Sequence, residues 1–145
     1  MRTAVVSWKA GVAVGVRSLD HLVLTVADIE LSVAIYTSLL GMERVTFGNS
    51  RTAIRFGDQR INLHGPGEPI LPRATAPTPG SADLCFLVDV PLEDVVSHLT
   101  TLGIALESGI VKRKGAAGLL RSVYLRDPDG NLIELSNRVM HLPKH

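Results

Sequence analysis

The chain has one cysteine, one tryptophan, only 4% aromatic residues and no real excess of charge of either sign. Cys85 alone excludes an internal disulfide and an all-cysteine metal site, and it fits a reducing compartment, so a cytoplasmic protein is expected. Lys+Arg 15 against Asp+Glu 14 leaves a formal charge of +1, without the basic stripe that a phosphate backbone demands. Nucleic acid is therefore not an expected partner. Nor is a membrane, because no apolar run approaches the roughly 18 residues of a spanning helix, and Lys9 interrupts the weakly apolar N-terminus. What is present is a chain of 145 residues, 46% of them hydrophobic, which is enough for one domain around one core.

Proline is concentrated in one place. Residues 65–80 (GPGEPILPRATAPTPG) hold five of the eight prolines, and neither helix nor central strand persists there. This linker divides an N-terminal extension (1–18) and a first module (19–64) from a second module (81–137) and a short tail (138–145). In the first module, 19–26 alternates like a strand. Asp28 is placed to cap a helix with Leu31, Ile35, Leu39 and Leu40 on one face, and Gly41 stops it. Strand-like runs follow at 43–47, 51–56 and 60–64. The second module repeats the plan: a strand over 82–90, a helix opened by Pro91 and stopped by Gly103, and strands near 104–107, 119–126 and 131–137. The turn Asp127-Pro128-Asp129-Gly130 joins the last two. Each half thus reads as strand, helix, strand, strand, strand. The expected class is α+β, two βαβββ modules whose mixed sheets carry a helix on one face and line a cavity with the other.

Strand alternation separates the two faces. Leu22, Leu24 and Val26 point toward the helices, leaving His21, Val23 and Thr25 on the open side; in the repeat, Leu84, Phe86 and Val88 point inward, leaving Asp83, Cys85 and Leu87 open. In the last strand of each half, His64 and Glu134 face out and are read as repeat mates. His21, His64, Asp83 and Glu134 then form a candidate ligand set of nitrogen and oxygen donors for Ni, Co, Mn, Fe or Zn. A lone histidine on a strand face is more often a hydrogen-bonded structural residue. Repeated use of the same two positions, and the cost of burying Asp83 and Glu134 without a cation, argue for the ligand reading.

The segments LDHLVLTVADIELSVAIYTSLLGMERVTF, FGDQRINLH, SADLCFLVDVPLEDVVSHLTTLGI and YLRDPDGNLIELSN resemble the vicinal oxygen chelate superfamily, which contains glyoxalase I, extradiol dioxygenases, and fosfomycin and bleomycin resistance proteins. Within it the chain looks most like the glyoxalase-domain-containing protein 5 group and bacterial virulence-associated glyoxalase-like proteins. The resemblance implies paired βαβββ modules, often as a homodimer with sites inside one chain or shared across the interface, and one divalent metal at His21, His64, Asp83 and Glu134, with no organic cofactor. The third ligand position usually holds His, Glu or Gln, so the shorter Asp83 implies a contact through water or a triad of the other three.

By the same resemblance, the expected function is a metal-dependent glyoxalase-like lyase or isomerase. It would act on a small substrate with adjacent oxygens through a metal-stabilised enediolate, with Glu134 as the base and Asp83 as the second choice. Bacterial glyoxalase I has Arg and Asn at the positions of Thr25 and Glu68, so a glutathione hemithioacetal is not implied. A ring-cleaving dioxygenase, a fosfomycin-type thiol transferase and a non-catalytic drug-binding protein are the alternatives. Tyr124, Arg55, Thr25 and Cys85 fall on the open face as candidates for substrate contact, Cys85 more as a small apolar filler than as a nucleophile. Lys112-Arg113-Lys114 with Gly115-Ala116-Ala117-Gly118 reads as a flexible basic loop over the cavity or a solvent-exposed hairpin tip. His98, His141 and His145 receive no role.

Overall fold

The computed structural model describes residue 11 and residues 13–139. Most of the expected N-terminal extension, and the tail from residue 140 with His141 and His145, lie outside the described residues. The order of elements is β1 (His21–Thr25), α1 (Ile29–Ser38), β2 (Glu43–Phe47), β3 (Arg51–Phe56), β4 (Gln59–His64), β5 (Asp83–Leu87), α2 (Leu92–Thr101), β6 (Val111–Gly115), β7 (Gly118–Arg126) and β8 (Leu132–Arg138). Two four-stranded sheets result, in the orders β1-β4-β3-β2 and β5-β8-β7-β6. The first strand of each module runs parallel to its last, and the other pairs are antiparallel. These are the two expected βαβββ modules. Among the described residues no helix is long and apolar enough to cross a membrane.

Alternation sorts the faces as expected. Leu24, Ile54, Ile61 and Leu63 of the first sheet are buried in one continuous core with Val123, Leu125, Ile133 and Leu135 of the second, closed by Val33 and Tyr36 of α1 and by Leu92 and Leu99 of α2. Phe56 and Phe86 meet edge to face at 5.3 Å between the modules. Leu63→Ala and Ile133→Ala are each expected to lower stability by about 2–5 kcal/mol through lost packing. Chemical denaturation checks this, and a loss below about 1 kcal/mol would place the residue outside the packed core.

The helices start differently. Asp28 caps α1 locally, its side chain accepting from the Leu31 N–H at 3.1 Å. Pro91 has no side-chain cap to offer α2. Instead Asn137, on β8, accepts from the Leu92 N–H at 2.8 Å and donates to the carbonyls of Val88 and Val90. The Asp127-Pro128-Asp129-Gly130 turn is a junction between modules. Asp127 accepts from the Tyr36 hydroxyl at 2.7 Å, from the Asn131 amide side chain at 2.7 Å, and from the backbone N–H groups of Asp129 and Asn131, both at 2.9 Å. Asn131 in turn accepts from the Ala82 N–H at 2.8 Å, and Asp129 from the Ala27 N–H at 3.0 Å. Gly80 ends the proline-rich linker at φ 83°, where a Cβ would stand 2.5 Å from the Asp129 carbonyl oxygen, so only glycine lets the linker pass this turn.

One strand differs from expectation. Residues 104–107 carry no strand, and β6 lies at 111–115, in the segment read as a flexible loop or a solvent-exposed hairpin tip; it forms the hairpin with β7. Ile104 is taken up by the end of α2, its N–H bonded to the Leu99 carbonyl. Val111–Gly115 is an edge strand with Lys112, Arg113 and Lys114 exposed. An edge is where a run of cations is tolerated and where it discourages further strand pairing.

Candidate functional site

On the open face of the first sheet, β1 and β4 pair His21 with Arg60, Val23 with Asn62 and Thr25 with His64. His21 is exposed, and its Nδ1 lies 2.8 Å from the Asp20 carboxylate. In a neutral ring that contact holds the proton on Nδ1 and leaves Nε2 as the free donor, the arrangement a metal-binding imidazole requires. Thr25 and His64 are half-buried neighbours at the far end of the face. Burial, and secondarily the charge of Arg51, hold the His64 imidazole below its usual range. Its Nε2 is buried without a hydrogen-bond partner, and so is Oδ1 of Asn62.

The second sheet is built the same way. Asp83 pairs with Leu132, Cys85 with Glu134 and Leu87 with Ser136, and Tyr124 of β7 pairs with Glu134 from the other side. Cys85, Glu134 and Tyr124 therefore form one row across the face. Ser136 connects it: its hydroxyl donates to Glu134 Oε2 at 3.3 Å and lies 2.7 Å from Ser122 Oγ and 3.3 Å from Cys85 Sγ. Burial around the sulfur is the main cause that pushes the Cys85 thiol up, aided by the carboxylates of Glu134 and Asp83 and opposed by Ser136. The shift favours the thiol over the thiolate. Arg113 donates to the Tyr124 hydroxyl at 2.9 Å, which turns the phenolic proton away from Arg113.

The register corrects the repeat. Asn62 sits against Val23 as Glu134 sits against Cys85, and His64 sits against Thr25 as Ser136 sits against Leu87. The mate of Glu134 is Asn62, and His64 is the mate of Ser136. Each module brings together one diagonal pair of donors across adjacent strands, His21 with Asn62 and Asp83 with Glu134. His64 stands four strand positions from His21, roughly 13 Å along the sheet. Among the described residues, no three His, Cys, Asp or Glu side chains converge to hold a metal within one chain. Arg55 is on the open side but exposed, and it donates to Glu43 at 2.9 Å. Asp20, Arg51, Arg60, Ser122 and Ser136 carry no sequence pattern that marks them as site residues, whereas Arg113 belongs to the basic segment read as a loop over the cavity or a hairpin tip. Among the first five, only the Asp-His dipeptide at 20–21 offers a local signal.

Residues 18–135 match the sequence profile of the Glyoxalase/Bleomycin resistance protein/Dioxygenase superfamily. The chain belongs to that superfamily. Among its members, the virulence protein STM3117 of Salmonella typhimurium is 51% identical over 83% of this chain and 84% of its own length. Its crystal structure superposes with a TM-score of 0.83 at 50% identity, covering 86% of this chain and 98% of that one. A glyoxalase domain-containing protein, RDO1 of Mycosarcoma maydis, is 51% identical over 84% of this chain and 69% of its own length. An integron cassette protein from the mobile metagenome of Vibrio cholerae superposes with a TM-score of 0.85 at 48% identity, over 88% of this chain and all of that one, 100%. On the first open face lie Arg51, Arg55 and Arg60 with Glu43, and on the second Asp83 and Glu134 with Arg113, Arg126 and Arg138.

Proposed function

We propose that the protein is a divalent-metal-dependent lyase or isomerase of the glyoxalase type, acting on a small molecule with adjacent oxygens. The observation that carries this reading is the pairing of donors. His21 has its tautomer set by Asp20, Asn62 Oδ1 is buried and unpartnered at the repeat position of Glu134, and Glu134 keeps one carboxylate oxygen free of hydrogen bonds beside Asp83. A nitrogen donor with three oxygen donors fits Ni, Co, Mn, Fe or Zn. A bound ion there supplies Lewis-acid polarisation of the two substrate oxygens.

Glu134 carries the proton in this reading. It takes the proton from the carbon beside a carbonyl and returns it to the neighbouring carbon, with Asp83 as the second carboxylate. Tyr124, oriented by Arg113, donates its phenolic hydrogen to a substrate oxygen, while Cys85 and Thr25 shape the walls. His64 belongs to the substrate-facing wall, because it stands beside Arg51 and away from His21. Each chain gathers only two donors per face. The reading therefore includes a homodimer in which the first sheet of one copy meets the second sheet of another. It also places the protein in the cytoplasm, in keeping with its single unpaired cysteine.

Elemental analysis after loading with each of the five ions tests the reading. About one tightly held ion per chain is expected, and none in His21→Ala/Glu134→Ala. The same double variant should retain its fold, because both side chains sit outside the core. A second reading, a protein that sequesters a metabolite without chemistry, is favoured by the absence of three convergent donors among the described residues of one chain. No metal under any loading would overturn the enzyme in its favour.

A further inference from the structure

Most arginines close to a carboxylate are paired: Arg44 with Glu30, Arg55 with Glu43, Arg121 with Glu93 and Arg126 with Glu107. Arg51 and Arg60 have no such partner among the described residues. Both are half-buried, and their guanidinium carbons lie 5.0 and 4.1 Å from the centroid of the same ring, Phe47. The Nε of each is buried without a hydrogen-bond partner. Stacking on an aromatic face stabilises a guanidinium but leaves its edge donors unused. Two cations held against one ring also repel, and partial burial strengthens that repulsion. This combination calls for an anion with several acceptor atoms.

Among the described residues no carboxylate pairs with either arginine. Glu43 is tied to Arg55. Arg51 opens into a cleft of about 1000 Å3 between the β2–β3 turn and the proline-rich segment, lined also by Ser50, His64 and Arg73, with Glu68 as the one acid on its wall. His64 is on the same wall, and its Nε2 is buried and lacks a partner. Arg60 and Phe47 lie across the face from opposite strands, and Ala53 and Asn62, between them in register, are buried.

We propose that Phe47, Arg51, Arg60 and His64 form an anion subsite that takes a carboxylate or phosphoryl group of a small molecule. The substrate class becomes an anionic one. Its charged group would sit in the row of Phe47 and Arg51, two strand positions from Asn62 and four from His21, or roughly 7–13 Å along the strands, with Arg60 reaching it from the position in register with His21. That distance rests on the functional reading above; the anion subsite itself does not.

The test is titration of the purified protein with malonate and, separately, inorganic phosphate at constant ionic strength. The readouts are the arginine Nε–H resonances and the thermal midpoint. Saturable shifts at Arg51 and Arg60 are expected, with Kd weakened about tenfold or more in Arg51→Gln and in Arg60→Gln. Arg55→Gln should bind like the native chain. Tighter malonate binding assigns a carboxylate, and tighter phosphate binding a phosphoryl group. Should Arg51→Gln fail to fold, Arg51→Lys replaces it and should still bind more weakly, for want of the planar fork. The titration is repeated on His21→Ala/Glu134→Ala, where anion binding should persist whether or not the native protein holds a metal. Absence of saturable shifts, equal Kd values in all variants, or loss of binding in that double variant would overturn the subsite.

Discussion

Asp127→Ala is expected to lose about 4 kcal/mol of unfolding free energy. The side chain is 7% exposed and accepts four hydrogen bonds. Its removal leaves the Tyr36 hydroxyl and the Asn131 amide buried without their acceptor, and unties α1 from the second module. Urea denaturation measures the effect, with Tyr36→Phe as the milder companion at about 1–2 kcal/mol. A loss below about 1 kcal/mol for Asp127→Ala would mean that apolar packing alone joins the modules.

The same contact gives a pH signature. Burial first, and then the hydrogen bond to Asp127, push the Tyr36 phenol up far beyond its ordinary range. The unfolded chain releases that proton near pH 10, while the folded protein retains it. Stability from this group is therefore complete below pH 10 and declines as pH rises above it. Tyr36→Phe should flatten that alkaline decline, which denaturation at a series of pH values would reveal.

The second large effect concerns the division of the site between copies. His21→Ala and Glu134→Ala should each hold no metal alone. Mixed after denaturation and refolded together, they should recover about one quarter of the native metal content, because half of the dimers pair different variants and each of those rebuilds one intact site of two. A site contained in one chain would recover nothing, since every chain then lacks a donor. The measurement is metal per chain after gel filtration of the mixture.

The alternation of apolar residues makes the element order and the two open faces legible in the sequence. His21, Asp83, Glu134 and Tyr124 lie where that alternation put them. What alternation cannot supply is register in steps of two. A shift from Asn62 to His64 keeps the side chain on the same face, so period-two reasoning had no means of separating them. Strand pairing decides the matter through the fixed partners Val23 and Thr25. The location of β6 escaped for another reason: Lys112, Arg113 and Lys114 show no apolar face, and the edge strand is held by its pairing with β7. Nothing in the sequence sets Arg51 and Arg60 apart, because their shared ring, Phe47, comes from a third strand.

The unequal capping of the two helices bears on how the chain assembles. The start of α1 draws its cap from three residues away, whereas the first amide of α2 waits for Asn137, 45 residues later. Local contacts form early and distant ones late, because the intervening loop must close first. During synthesis α1 can be finished as soon as it emerges, while α2 stays open at its N-terminal end until β8 has been made and docked. A chain cut short before Asn137 therefore loses more than an edge of sheet, since the damage reaches back to the helix that begins at Leu92.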